Sequence, residues 1–200
     1  MGSKEFLKHL MFGKGYDELT PLQLSRKLEN QEKKPSKIEQ AAAYLFNYAI
    51  DREDVKWLMA NLSEEADVKR ATVEYELPIL KIISVGWSLS YCLPASPQKD
   101  ELSNLYWAAI NDFSKDLSST TEMMIGQKID YFEILKERLV MYVKALEQQP
   151  EVQDPATIIG PEFARTCGNA EDIFTIMTGS KMFLPVITRV KEYLETIKLR

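Results

Sequence analysis

The run Leu77–Leu93, LPILKIISVGWSLSYCL, carries a single charge, Lys81, and lies between segments whose apolar residues recur at spacings of three and four. A stretch that is apolar on nearly all sides must be covered all round, whereas a one-sided stripe needs cover on one face only. Together they predict an all-α fold, a single-domain irregular helical bundle of about seven or eight helices around a buried central helix. Seventeen residues is the bottom of the range that spans a bilayer, and Pro78, Gly86, three serines and Lys81 interrupt the run. It therefore reads as a core helix, and no transmembrane segment is expected.

Helix starts are well punctuated. Thr20-Pro21-Leu22-Gln23, Ser36-Lys37-Ile38-Glu39 and Ser119-Thr120-Thr121-Glu122 have the form of capping boxes. Ser96-Pro97 and Asp154-Pro155 are cap-plus-proline starts, and Ser63 and Asn169 are further N-cap candidates. These signals predict helices at 3–12, 21–33, 37–50, 52–60, 64–93, 97–116, 120–148 and 170–197, with 64–93 and 120–148 as the main supports. Ile125, Ile129, Phe132, Leu135, Leu139, Val143 and Leu146 form a near-heptad seam on the 120–148 segment. Pro78 and Pro185 fall inside predicted helices, where a kink or break is expected. Residues 149–168 hold three prolines and two glycines and form a connection, read as a short helix with two turns.

Composition narrows the class. Of the 200 residues, 45% are apolar and 28% charged, in the range of folded globular domains, so one domain spanning 1–200 is expected. The net charge is −5, without the basic stripe that nucleic acid requires. Charge is unevenly placed: residues 1–37 have eight Lys/Arg against five Asp/Glu, and residues 38–200 have seventeen against twenty-five. The first part is thus +3 and the rest −8. A basic helix within residues 1–14, detachable from the bundle, would bring residues 4–14 to an anionic membrane surface; a solvated lysine-rich face is the simpler reading. Phe6–Phe12 is too short and too charged for a secretory core, and Cys92 and Cys167 form no framework, which suits the cytoplasm.

Several chemistries are poorly supported. His9 is the only histidine, so paired-histidine metal sites and a well-held general base are not expected. No phosphate-cradling glycine loop occurs, and Ser96-Pro97-Gln98-Lys99 is explained by Ser96 acting as a cap. Acidic pairs three residues apart occur as Glu29/Glu32, Asp51/Asp54 and Glu64/Asp67. On a helix such pairs share a face and suit a hard cation such as magnesium. In this respect Glu29-x-x-Glu32 and Glu64-x-x-Asp67 resemble the all-α nucleoside triphosphate pyrophosphohydrolases. The resemblance implies a magnesium site formed by Glu29, Glu32, Glu64 and Asp67. It departs from that family in the distance between the pairs and in lacking the doubled acidic start of the first motif. Thirty acidic residues also make chance pairs common, so a solvated face is the preferred reading and no cofactor is expected.

Trp57, Trp87 and Trp107 fall in different predicted helices and are expected to anchor the core. Gly86 and Ser90 are read as a close-packing pair. Cys167 precedes the expected helix start at Asn169, beside Arg165, which would lower its thiol pKa. The leading expectation for function is a non-catalytic interaction or accessory protein binding a protein partner, or a second copy of itself, through its helical surface. A small-molecule pocket near Trp87, Tyr91 and Trp107, capped by Phe163 and Arg165, is the alternative binding reading.

Overall fold

A computed structural model describes residues 35–198. Expected helices 3–12 and 21–33, the detachable 1–14 segment and Glu29/Glu32 lie outside the described residues. Every regular element among the described residues is an α-helix: α1 Lys37–Ile50, α2 Glu53–Ala60, α3 Arg70–Cys92, α4 Pro97–Ile125, α5 Tyr131–Glu147, α6 Ala156–Cys167 and α7 Ile173–Ile197. All-α architecture is therefore what the apolar patterning said it would be.

The capping box predicted at Ser36 is present in full. Ser36 Oγ accepts from the Glu39 N–H, and the Ser36 N–H donates to Glu39 Oε2 at 2.7 Å. Ser96 likewise caps α4 by accepting from the Lys99 N–H. Three other cap signals, at Ser63, Ser119 and Asn169, are misleading. Ser63 Oγ takes the Glu65 N–H in a turn, and α3 begins only at Arg70. Ser119 and Thr120 lie inside α4, where Thr120 Oγ1 donates to the Asp116 carbonyl. The helix runs on to Gly126, whose φ of +69° supplies the left-handed stop. The expected 120–148 helix is thus two pieces, the end of α4 and α5, with Asp130 as the true cap of α5. Ile125 is exposed and Ile129 sits in the intervening loop, so the seam holds only from Phe132 onward. α7 is capped by Asp172, not Asn169. Residues 149–168 are a helix, α6, between two turns.

Pro78, Pro161 and Pro185 all lie within continuous helices. Each removes the donor to a carbonyl four residues back. Those residues, Glu74, Thr157 and Lys181, are all exposed, and the helices continue through each proline. α3 packs against each of the other helices, burying among others Val73, Leu77, Leu80, Ile83, Val85 and Leu89. Burying each such side chain contributes about 1.5–3 kcal/mol. α7 passes along α6, α3 and α2. By length and composition it is apolar enough to cross a membrane, but it carries Lys181, Arg189, Lys191, Glu192 and Glu195; Met182, Phe183, Val186, Val190 and Leu194 are buried, while Ile173, Met177 and Leu184 are exposed.

Candidate functional site

A groove opens where α1, α2 and α7 meet. The second half of α1 carries Tyr44, Asn47 and Tyr48 on successive turns of one face. Asp51 ends the helix in extended conformation, and its Oδ1 accepts from the Glu53 N–H at 2.8 Å, which turns the chain into α2. Glu53 and Asp54 then occupy the first turn of α2, where the helix dipole favours carboxylates. α7 contributes Arg189 from the opposite side. The volume enclosed is about 390 Å³. Past Tyr48, Asp54 and Arg189 it continues into a further recess of about 210 Å³, whose walls are mainly apolar: Trp57, Leu58, Met182, Pro185 and Val186.

Beneath the groove lies Lys81, the single charge of the apolar run, reaching from α3 with 0% exposure. Its Nζ stands 2.7 Å from Asp54 Oδ2, donates to the Asp51 carbonyl at 2.9 Å, and lies 4.5 Å from the centre of the Tyr48 ring. A buried ammonium without partners would be strongly unfavourable, and these three contacts satisfy it. The Arg189 guanidinium also lies over the Tyr48 ring, at 4.7 Å, a favourable placement for a cation. Tyr44 stacks on Tyr193 with ring centres 4.0 Å apart, which steadies the outer wall.

Burial, reinforced by the Asp54 carboxylate and opposed by Arg189, pushes the Tyr48 phenol up to about 12. At neutral pH it is therefore a neutral hydrogen-bonding ring. Of the three groove carboxylates, Asp54 is matched by Lys81 and Glu53 by Lys56. What the groove presents is aromatic faces, an arginine and hydrogen-bonding groups, with Lys81 paired to Asp54 and the Asp51 carbonyl.

The five residues singled out from sequence are placed differently. Trp87 stacks on Tyr91, 4.7 Å between centres, and tilts against Phe183; Tyr91 is 72% exposed. Trp107 is buried over Gly86, and Phe163 is buried against Gly179 one helical turn from Phe183. Arg165 is exposed and pairs with Glu162 at 3.4 Å. None of the five lines the α1–α2–α7 groove. Gly86 admits the indole of Trp107, so the close approach is between a helix and a ring. Trp57, expected in the core, is 59% exposed because it faces outward from the short helix α2.

Glu64 and Asp67 lie in the turn before α3, not on a shared helix face. Asp67 Oδ2 accepts from Asn169 Nδ2, and the Asp67 N–H donates to Asp172 Oδ2, so this turn is tied to the start of α7. Among the described residues no group of three or more His, Cys, Asp or Glu is arranged to hold a metal ion. Cys167 ends α6 instead of preceding a helix, and burial, with Glu76 adding to it, pushes its thiol up to about 12. The expected lowering is therefore reversed. The groove residues did leave a signal in the sequence, namely the lone Lys81 and the Asp51/Asp54 pair, which meet only in three dimensions.

No protein-family model matches this chain, and neither a curated protein nor a solved structure shows significant similarity to it. The reading of its function therefore rests on the groove itself.

Proposed function

We propose that this chain is a cytoplasmic, non-catalytic helical protein that binds a protein partner through the face formed by α1, α2 and α7. Its helices form one domain, an irregular bundle built around α3. The observation that carries this reading is Trp57, a large aromatic residue 59% exposed at the mouth of a groove flanked by Tyr44, Tyr48 and Arg189. Tryptophan, tyrosine and arginine are the residue types that dominate binding energy at protein interfaces, and a recess beside them gives a partner side chain somewhere to be desolvated. The same face extends along α7, where exposed Ile173, Met177 and Leu184 recur at helical spacing and lead to Pro185 at the groove wall.

The test is site-specific photo-cross-linking in cells, with a photoreactive aromatic residue replacing Trp57 and, as a control, the exposed Lys144 on α5. A discrete adduct is expected from position 57 and not from 144, and Arg189→Ala should abolish it. An adduct of twice the chain's mass assigns the face to self-association. No adduct, or equal labelling from both positions, refutes the reading.

A further inference from the structure

The recess beside Trp57 is lined by two cations of α7 that have no anion of their own. Lys181 and Arg189 are both exposed, and among the described residues neither forms an ion pair. Asp54, the carboxylate of the recess, is turned to Lys81 at 2.7 Å. Arg189 lies with its guanidinium 4.7 Å from the centre of the Tyr48 ring, which orients it. From Lys181 to Arg189 the helix advances about 12 Å, with Pro185 on the wall between them. Leu58, Met182 and Val186 are buried and form an apolar floor. A volume of about 210 Å³ is below the roughly 300–1,000 Å³ of pockets that bury a whole small ligand, and suits one side chain carried by a longer segment.

Charge divides the groove. Asp51 and Glu53 line the larger lobe and not the recess, Lys181 lines the recess and not the larger lobe, and Arg189 stands on the border. Among the described residues Asp51 forms no ion pair, and Glu53 is matched only by Lys56 in an exposed pair of the kind that contributes little. The larger lobe is therefore negative and the recess positive, in a chain whose residues 38–200 sum to −8. An acidic segment meets net repulsion from such a chain and finds complementary charge at the recess, which favours one site and one orientation.

We propose that the partner of this face presents a segment in which a bulky apolar residue is flanked by acidic ones. The apolar side chain fills the recess against Trp57, Leu58 and Met182, and the carboxylates meet Lys181 and Arg189. The part of the segment that lies over Asp51 and Glu53 is neutral or basic. This specifies the chemistry of the partner and rests on the reading of that face as a protein-binding surface. Charge pairs at a rim act mainly on specificity and association rate, so binding weakens as salt is raised.

The experiment is selection of a displayed library of short random peptides on the whole chain, followed by titration of the enriched peptides by fluorescence anisotropy. The expected consensus places Asp or Glu beside Leu, Phe or Trp. Affinity for such peptides should fall roughly three- to tenfold in Lys181→Gln and in Arg189→Gln, and be largely retained in Lys181→Arg. Selection repeated on Lys181→Glu/Arg189→Glu should exchange the acidic residues of the consensus for Lys or Arg. Both positions are exposed, and unchanged urea unfolding certifies that the variants are folded. A consensus without acidic residues overturns the proposal, as does an acidic consensus that binds wild type and the double-Glu variant equally, or a selection that yields no peptide sensitive to positions 181 and 189. Decanoate that displaces the peptides and binds more tightly than they do makes the occupant a small amphiphile and also overturns it. If the acidic consensus is absent while the position-57 adduct forms in cells, the partner chemistry fails and the partner face stands. If acidic peptides bind through Lys181 and Arg189 and no adduct forms, the chemistry of the recess stands and the partner face fails.

Discussion

Replacing Gly86 with alanine tests how α3 and α4 are seated on each other. A methyl group at that position would stand 2.2 Å from Cζ2 of Trp107 and 2.9 Å from two further atoms of the ring. The indole would have to withdraw by about 1.2 Å to restore ordinary contact. It has little room, since Trp107 is 2% exposed and lies edge-on against the fully buried Tyr106, whose hydroxyl is fixed to the Ile82 carbonyl at 2.8 Å. Overpacking of this kind costs about 1–3 kcal/mol. Against it stands about 1 kcal/mol gained when alanine replaces glycine inside a helix. A net loss of up to about 2 kcal/mol is expected for Gly86→Ala alone. In a Trp107→Phe background, which lacks the outer ring atoms concerned, the same exchange should be neutral or stabilising by up to about 1 kcal/mol. Equilibrium urea unfolding of the four proteins, analysed with a common slope, gives the coupling directly. A Gly86→Ala cost that is equal in both backgrounds, or a gain in the wild-type background, would refute the contact.

The ion pair between Glu76 and Arg138 ties α3 to α5 through two bonds of 2.8 and 3.0 Å, with Glu76 3% exposed. Arg138→Met leaves that carboxylate buried and unpaired and should cost about 3–5 kcal/mol, much of it recovered in the Glu76→Met/Arg138→Met double variant by urea unfolding. For Asp172, burial pushes the carboxyl up, but the bonds it accepts from the Asp67 and Thr175 N–H groups outweigh this and hold it below the usual value. A lowered folded-state pKa gives stability that is complete above the ordinary carboxylate range and lost as pH falls through the folded-state value. Asp172→Ala should therefore cost about 1–2 kcal/mol at pH 7, with the gap narrowing below about pH 4; an unchanged gap at pH 3 would refute this. A thiol reagent at pH 8 should count Cys92 alone in the folded protein and both cysteines after unfolding, since Cys167 is buried with its thiol pushed up to about 12.

Local signals were legible wherever a local contact satisfies them. Ser36 and Glu39 bond to each other's backbone, so the four residues that spell the capping box also contain its chemistry, and α1 starts where they say. Ser119-Thr120-Thr121-Glu122 has the same spelling, but there the helix is already under way, and a threonine inside a helix returns its hydroxyl to the carbonyl four residues back. Only the preceding turn, packed through Ser114, distinguishes the two cases. The start of α3 was displaced for a long-range reason: the Asp67 N–H goes to Asp172, more than a hundred residues away, which holds 63–69 as a turn. The site shows the same division. Lys81 stood out as a lone charge and Asp51/Asp54 as an acidic pair, yet their union depends on how α1 and α2 lie across α3. Trp57 is not legible as a surface residue, because a tryptophan on a short helix is written the same way whether it faces the core or solvent.

Lys81 also sets the terms on which the proposed partner would meet this protein. Its ammonium holds the last carbonyl of the α1 corner and the first turn of α2, while its backbone belongs to the helix that touches all the others. The shape of the groove is thus inherited from the interior, so on the proposed reading docking would need little rearrangement and association would not be gated by opening of the α1–α2 corner. The same inheritance runs the other way. A substitution deep in α3 that shifts Lys81 by a fraction of an ångström would move the groove walls and, on the proposed reading, alter affinity from a distance.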